Sequence, residues 1–119
     1  MSQSEKINYV EFPTKNLMST KKFFEQAFGW TFEDFGPEYT AFSNQGIDGG
    51  FFKADLTSTA RQGSALIVLL SENLEETQSK IESSGGKISE PIFAFPGGRR
   101  FHFIEPGGNE LAVWQKSDL

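Results

Sequence analysis

Few side chains in this sequence have the types and spacing to do chemistry. His102 is the only histidine, and there is no cysteine. Thiolate metal sites, disulfides and a cysteine nucleophile are therefore excluded, and one imidazole without carboxylate companions makes a weak metal site. That imidazole can still donate a hydrogen bond or shuttle a proton near neutral pH. Arg99 and Arg100 are adjacent. Neighbouring strand residues face opposite ways, so at most one points inward, where it could pair with an anionic ligand group. Asp48 and Glu110 sit next to turns, where acids are usually solvated. Gly97-Gly98 is not a phosphate loop: no Gly-x-x-x-x-Gly-Lys-Ser/Thr pattern surrounds it and no helix follows. Nothing in the spacing ties a particular serine to His102, so no Ser–His–Asp grouping is argued.

Composition narrows the classes further. The 119 residues are one domain's worth of chain. A formal charge of −5 with only 11 basic residues argues against a surface that tracks nucleic-acid phosphates. No stretch approaches the roughly 20 apolar residues of a membrane span, and the first six residues are polar with no apolar leader core. The expectation is a cytoplasmic protein with no nucleic-acid or membrane partner. Thirteen phenylalanines against two tyrosines and two tryptophans supply apolar area without polar handles, for a core and for the walls of an apolar pocket.

The elements that must position these residues come in duplicate. A constant offset of 57 relates Leu17 to Leu74 and Gly29 to Gly86, the starts and ends of two amphipathic runs. Each follows a strand-like segment, residues 7–12 and 65–70, and each is led by an asparagine suited to capping, Asn16 and Asn73. Strands are expected over 30–35, 39–43 and 47–53 in the first copy. In the second they are expected over 87–89, 99–105 and 109–115, with a loop at 91–98. An offset of 62 sets Asp48, Gly50 and Phe52 against Glu110, Ala112 and Trp114. Residues 1–119 thus read as one α+β domain of two tandem βαβββ modules, about 6–54 and 65–116, joined by a polar linker at 55–64. A pocket is expected where such half-sheets meet.

The pieces 7–13, 28–30, 85–87 and Glu105-Pro106-Gly107-Gly108-Asn109, in this order and with the duplication, resemble the vicinal-oxygen-chelate superfamily. That group includes glyoxalase I, bleomycin-resistance proteins and extradiol dioxygenases. The resemblance implies a cup-shaped, mixed but mostly antiparallel sheet with helices outside. It also implies metal ligands, usually His or Glu, on the first and last strand of each module. Here those positions fall on Tyr9, Leu66, Gly50 and Ala112, of which three carry no donor atom and one a poor neutral phenol. The usual metal site is therefore expected to be missing, and no cofactor is assigned.

The same frame places Glu11 beside Tyr9, Phe52 beside Gly50, Val68 beside Leu66 and Trp114 beside Ala112. It sets His102 where ring-cleaving relatives carry a pocket-facing tyrosine. A carboxylate such as Glu11 in a phenylalanine-lined cavity would have its pKa raised and could act as a base. The expected ligand-binding set is Tyr9, Glu11, Gly50, Phe52, Leu66, Val68, His102, Ala112 and Trp114. The expected function is metal-free binding of a small apolar or aromatic molecule. The alternative is a lyase, isomerase or dioxygenase holding its metal through displaced donors such as His102, Glu11 and Glu110. A third possibility is an interaction module. Relatives commonly dimerise, and the edges of an open cup need covering, so a homodimer is expected.

Overall fold

Asn16 and Asn73 start the helices. Each sits in extended backbone and accepts a hydrogen bond from the third residue on, Ser19 N–H at 3.0 Å and Glu76 N–H at 3.1 Å. This satisfies donors that the first helical turn leaves open. The computed structural model describes residues 4–117, so the polar residues 1–3 lie outside it. Its elements run β1 Tyr9–Thr14, α1 Leu17–Phe28, β2 Phe32–Asp34, β3 Tyr39–Phe42, β4 Asp48–Lys53, a 3-10 turn Ala60–Gln62, β5 Val68–Leu70, α2 Leu74–Ser83, β6 Lys87–Phe95, β7 Gly98–Ile104 and β8 Glu110–Lys116. Gly29 closes α1 at φ +72°, a left-handed conformation that costs glycine little. Among the described residues no helix is long and apolar enough to cross a membrane.

The βαβββ order appears twice, and each copy makes its own open four-stranded sheet, β1-β4-β3-β2 and β5-β8-β7-β6. In both, the first strand runs parallel to the last and the other pairings are antiparallel. The registers are repeats of one another. Glu11 stands opposite Gly50, and Val68 opposite Ala112. The phenylalanines mostly line the helix side of the sheets. Phe12 stacks on Phe51 at 5.2 Å, Phe24 on Trp30 at 4.6 Å, and Phe23 reaches across the modules to Phe103 at 5.7 Å. Leu74 and Ile81 of α2 are fully buried in the same core as Phe101 and Val113.

Some boundaries depart from expectation. Residues 91–95, expected in a loop, belong to the nine-residue strand β6. That strand is an edge with register shifts either side of Glu90, and such irregular edges accommodate the missing N–H of Pro91. Strand β1 likewise continues through Pro13, because it pairs on one side only. The 55–64 segment is tied down: Ser58 N–H donates to Asn109 Oδ1, and Ala60 N–H to Glu110 Oε1, each at 2.9 Å.

The modules are joined by a buried polar knot. Glu105, 1% exposed, accepts hydrogen bonds from Thr20 Oγ1 at 2.8 Å, Gly107 N at 2.6 Å and Asn109 Nδ2 at 2.7 Å. Thr20 also bonds Thr14 at 2.7 Å, and Asn109 Nδ2 donates to the Pro13 carbonyl at 2.7 Å. A Cβ at Gly107 would collide with the hydroxyls of Thr14 and Thr20, so only glycine lets the turn come this close. Burial pushes the Glu105 carboxyl above its ordinary 4.5, with the three donors opposing but not cancelling that effect. Its contribution to stability is therefore fully present below 4.5 and declines as pH rises through the raised folded value. Glu105→Gln sets an amide NH2 against Asn109 Nδ2. It is expected to cost about 1–3 kcal/mol in urea unfolding and to abolish that decline. An unchanged midpoint would contradict this assignment.

Candidate functional site

The helix-free faces of the two sheets carry most of the expected ligand-binding residues, in two separate groups. On module one, Tyr39 donates to Glu11 Oε2 at 2.9 Å, and its oxygen lies 2.6 Å from the Tyr9 hydroxyl. Tyr39 has a single proton, so Tyr9 donates to Tyr39 and the chain runs Tyr9 to Tyr39 to Glu11. Burial, with the Tyr9 and Glu11 hydrogen bonds adding to it, holds the Tyr39 hydroxyl well above its ordinary value of 10 and keeps it a donor. The ring reaches diagonally from opposite Phe52 to cover Gly50, where a methyl group would strike the hydroxyl. Tyr9 itself is 45% exposed.

On module two, β7 brings together Arg100 and His102, and β8 supplies Glu110. His102 Nδ1 lies 2.9 Å from Glu110 Oε2, and Nε2 lies 3.0 Å from Arg100 Nη2. A guanidinium has only protons to offer, so Nε2 is the acceptor and Nδ1 carries the imidazole proton. Both ring nitrogens are engaged. Burial pushes the Glu110 carboxyl up, but the hydrogen bonds from His102 and Ala60 outweigh it and hold the group below 4.5. Arg100 lies over the rings of Phe93 and Phe95, at 5.8 and 5.7 Å from their centroids. Ala112 is fully buried opposite His102, and Trp114 stands opposite Arg100, 5.9 Å from Phe95. Arg99 points the other way and forms a two-pronged ion pair with Glu75 at 2.7 and 3.1 Å.

Leu66 and Val68 border a third feature. A cavity of about 700 Å³ opens between the edge strands β1 and β5, walled chiefly by Val10, Phe12, Trp30, Phe42, Ile67 and Leu69. Leu66 precedes β5 instead of lying in it. Asp48 is exposed and accepts from Asn44 N–H near its turn, as a solvated acid does. The displaced donors Glu11, His102 and Glu110 are not brought together: Glu11 bonds Tyr39 on one sheet, while the other two pair on the second. Among the described residues no three His, Asp or Glu side chains cluster as metal ligands.

A sequence model of the glyoxalase/bleomycin resistance protein/dioxygenase superfamily matches residues 6–113. The chain belongs to that superfamily. Solved structures agree on the fold. A glyoxalase-related enzyme from Fulvimarina pelagi superposes with a TM-score of 0.77 at 17% identity, over 94% of this chain and 88% of that one. Lactoylglutathione lyase from Agrobacterium tumefaciens gives 0.73 at 12% identity over 96% of each chain. TnmS3, an antibiotic binding protein from Streptomyces sp. CB03234, gives 0.69 at 15% identity over 98% and 100%. No curated protein matches the sequence.

Tyr39, Phe93, Phe95 and Glu110's role as a partner of His102 escape a reading by single positions. The Gly49-Gly50 pair inside a strand signals close approach of a neighbouring group. The period-two spacing of Phe93 and Phe95 is a strand signature within the presumed loop. If Tyr39 is what Gly50 accommodates, Gly50→Ala is expected to cost about 1–3 kcal/mol by overpacking. That cost should shrink in a Tyr39→Ala background. Additive effects in the double-mutant cycle would contradict the contact.

Proposed function

We propose that this superfamily member binds a small, partly aromatic molecule without a resident metal. The observation that carries the reading is the guanidinium of Arg100 against His102 Nε2, with Glu110 on Nδ1. A divalent cation would need one of those nitrogens as a lone-pair donor and would meet a fixed positive charge beside it. In module one the corresponding region is filled by a protonated phenol above a bare glycine. These donors do not fit the group that many superfamily members hold, and no reaction step is assigned through one.

Support for an organic guest comes from the walls. Trp114, Phe93, Phe95 and Val68 give module two a face of rings and aliphatic carbon, and the 700 Å³ cavity beside β5 has the size of a drug-sized site. TnmS3, which shares the fold, is an antibiotic binding protein, so this fold accommodates sequestration as well as the turnover of its lyase relative. Leu70, at 59% exposure, lies on the edge strand β5, and we propose that a second copy covers this edge as a homodimer. Sedimentation should then give twice the chain mass.

Titration calorimetry with Zn, Ni, Mn and Fe salts is expected to show no stoichiometric binding. A thermal-shift screen of aromatic metabolites should raise the melting temperature for some of them through mass action. Stoichiometric metal uptake lost in His102→Ala would instead favour the metal-dependent alternative.

A further inference from the structure

Two adjacent arginines meet opposite fates. Arg99 is neutralised by Glu75, whereas Arg100 has no ion pair among the described residues. Its charge is only partly compensated, through His102, by Glu110. Its Nε is buried without any hydrogen-bond partner, the only such side-chain atom among the described residues. A buried donor left unpaired is destabilising, because it gives up its hydrogen bond to water without gaining another. The guanidinium is nevertheless held in place by His102 Nε2 on one edge and by Phe93 and Phe95 on its faces. Its Nη1 end carries no hydrogen bond among the described residues, so the guanidinium is a fixed donor lacking an anion.

We propose that the ligand of this face is a planar aromatic monocarboxylate, anchored on Arg100 with its ring system against Trp114 and the neighbouring phenylalanines. The proposal rests on the reading above that the protein binds a small molecule. A carboxylate matches the Nη1/Nη2 end of the guanidinium, which can donate two N–H bonds to its oxygens while Nε stays buried. One negative charge is favoured over two. The site offers one cation, His102 is already the neutral tautomer, Glu110 is an anion two groups away, and Glu90 stands opposite His102 on β6. A dianionic phosphate would face two carboxylates with a single arginine to balance it. An aromatic body is favoured because Trp114 stands opposite Arg100 and Phe93 is 40% exposed.

The test compares naphthalene-2-carboxylate, its uncharged carboxamide and 2-naphthyl phosphate by calorimetry on the full chain. The carboxylate is expected to bind at least about tenfold tighter than the amide, roughly the worth of a charge-assisted hydrogen bond, and tighter than the phosphate. In Arg100→Gln the advantage should fall to near parity with amide affinity little changed, and Arg100→Lys should restore part of it. Should Arg100→Gln not fold, added salt must weaken the carboxylate and spare the amide in the unaltered protein. Equal binding of carboxylate and amide would overturn the anchor while leaving aromatic binding intact. Tighter phosphate binding would overturn the single-charge argument. Binding of none of the three probes would count against both readings.

Discussion

A single carboxylate holds the two halves of this molecule in register. Glu105 is on the β7–β8 turn, yet it takes hydrogen bonds from Thr20 of α1, from its own turn and from Asn109, which in turn grips the Pro13 carbonyl at the end of β1. No bulk water reaches it, so each donor has to be placed correctly or the charge is left uncompensated. Because the knot binds β1 and α1 to the β8 hairpin, it fixes where the first module's sheet stands relative to the second. The aromatic contact of Phe23 with Phe103 packs the same junction, but apolar contacts are tolerant of small slips, and the hydrogen bonds are not. The position of every side chain on the open faces follows from that junction.

On this frame the two modules have taken different courses at equivalent places. The pairs Glu11–Gly50 and Val68–Ala112 occupy the same register. Above Gly50 lies a tyrosine hydroxyl that donates to Glu11. Across from Ala112 lies an imidazole pinned between a carboxylate and a guanidinium. In both cases the space near a position where the resemblance leads one to expect a metal ligand is occupied by hydrogen-bonded side chains. The first solution leaves a polar phenol chain ending in an exposed tyrosine, and the second leaves a cation ringed by aromatic side chains. Only the second offers a strong unmet interaction, so a ligand has most to gain on module two.

Much of this was legible in the residues. Asn16, Gly29 and Asn73 act through local hydrogen bonds and φ preferences, so their roles can be read from a few neighbours in sequence. The duplication gave the order of elements along the chain, and alternation placed Phe52 with Gly50 and Trp114 with Ala112 on shared faces. What could not be read depends on contacts across strands. Alternation puts Arg100 on the face of His102, but that Arg99 would be neutralised depended on Glu75 of α2 being within its reach. The strand β6 was hidden because Pro91 signals a break unless the strand is known to be an edge. Tyr39 was hidden because its hydroxyl meets Gly50 on a diagonal between strands, a relation with no fixed sequence spacing. The role of Glu110 required knowing that His102 lies beside it across the hairpin.

The central claim is that the imidazole has no lone pair free for a cation. With one histidine in the chain, nitrogen-15 magnetic resonance reads it without assignment ambiguity. The account predicts a neutral ring protonated at Nδ1, with a hydrogen-bonded, unprotonated Nε2 whose signals do not move when zinc or nickel is added. A ring protonated at Nε2, or ring resonances displaced or broadened stoichiometrically by either metal, would contradict it.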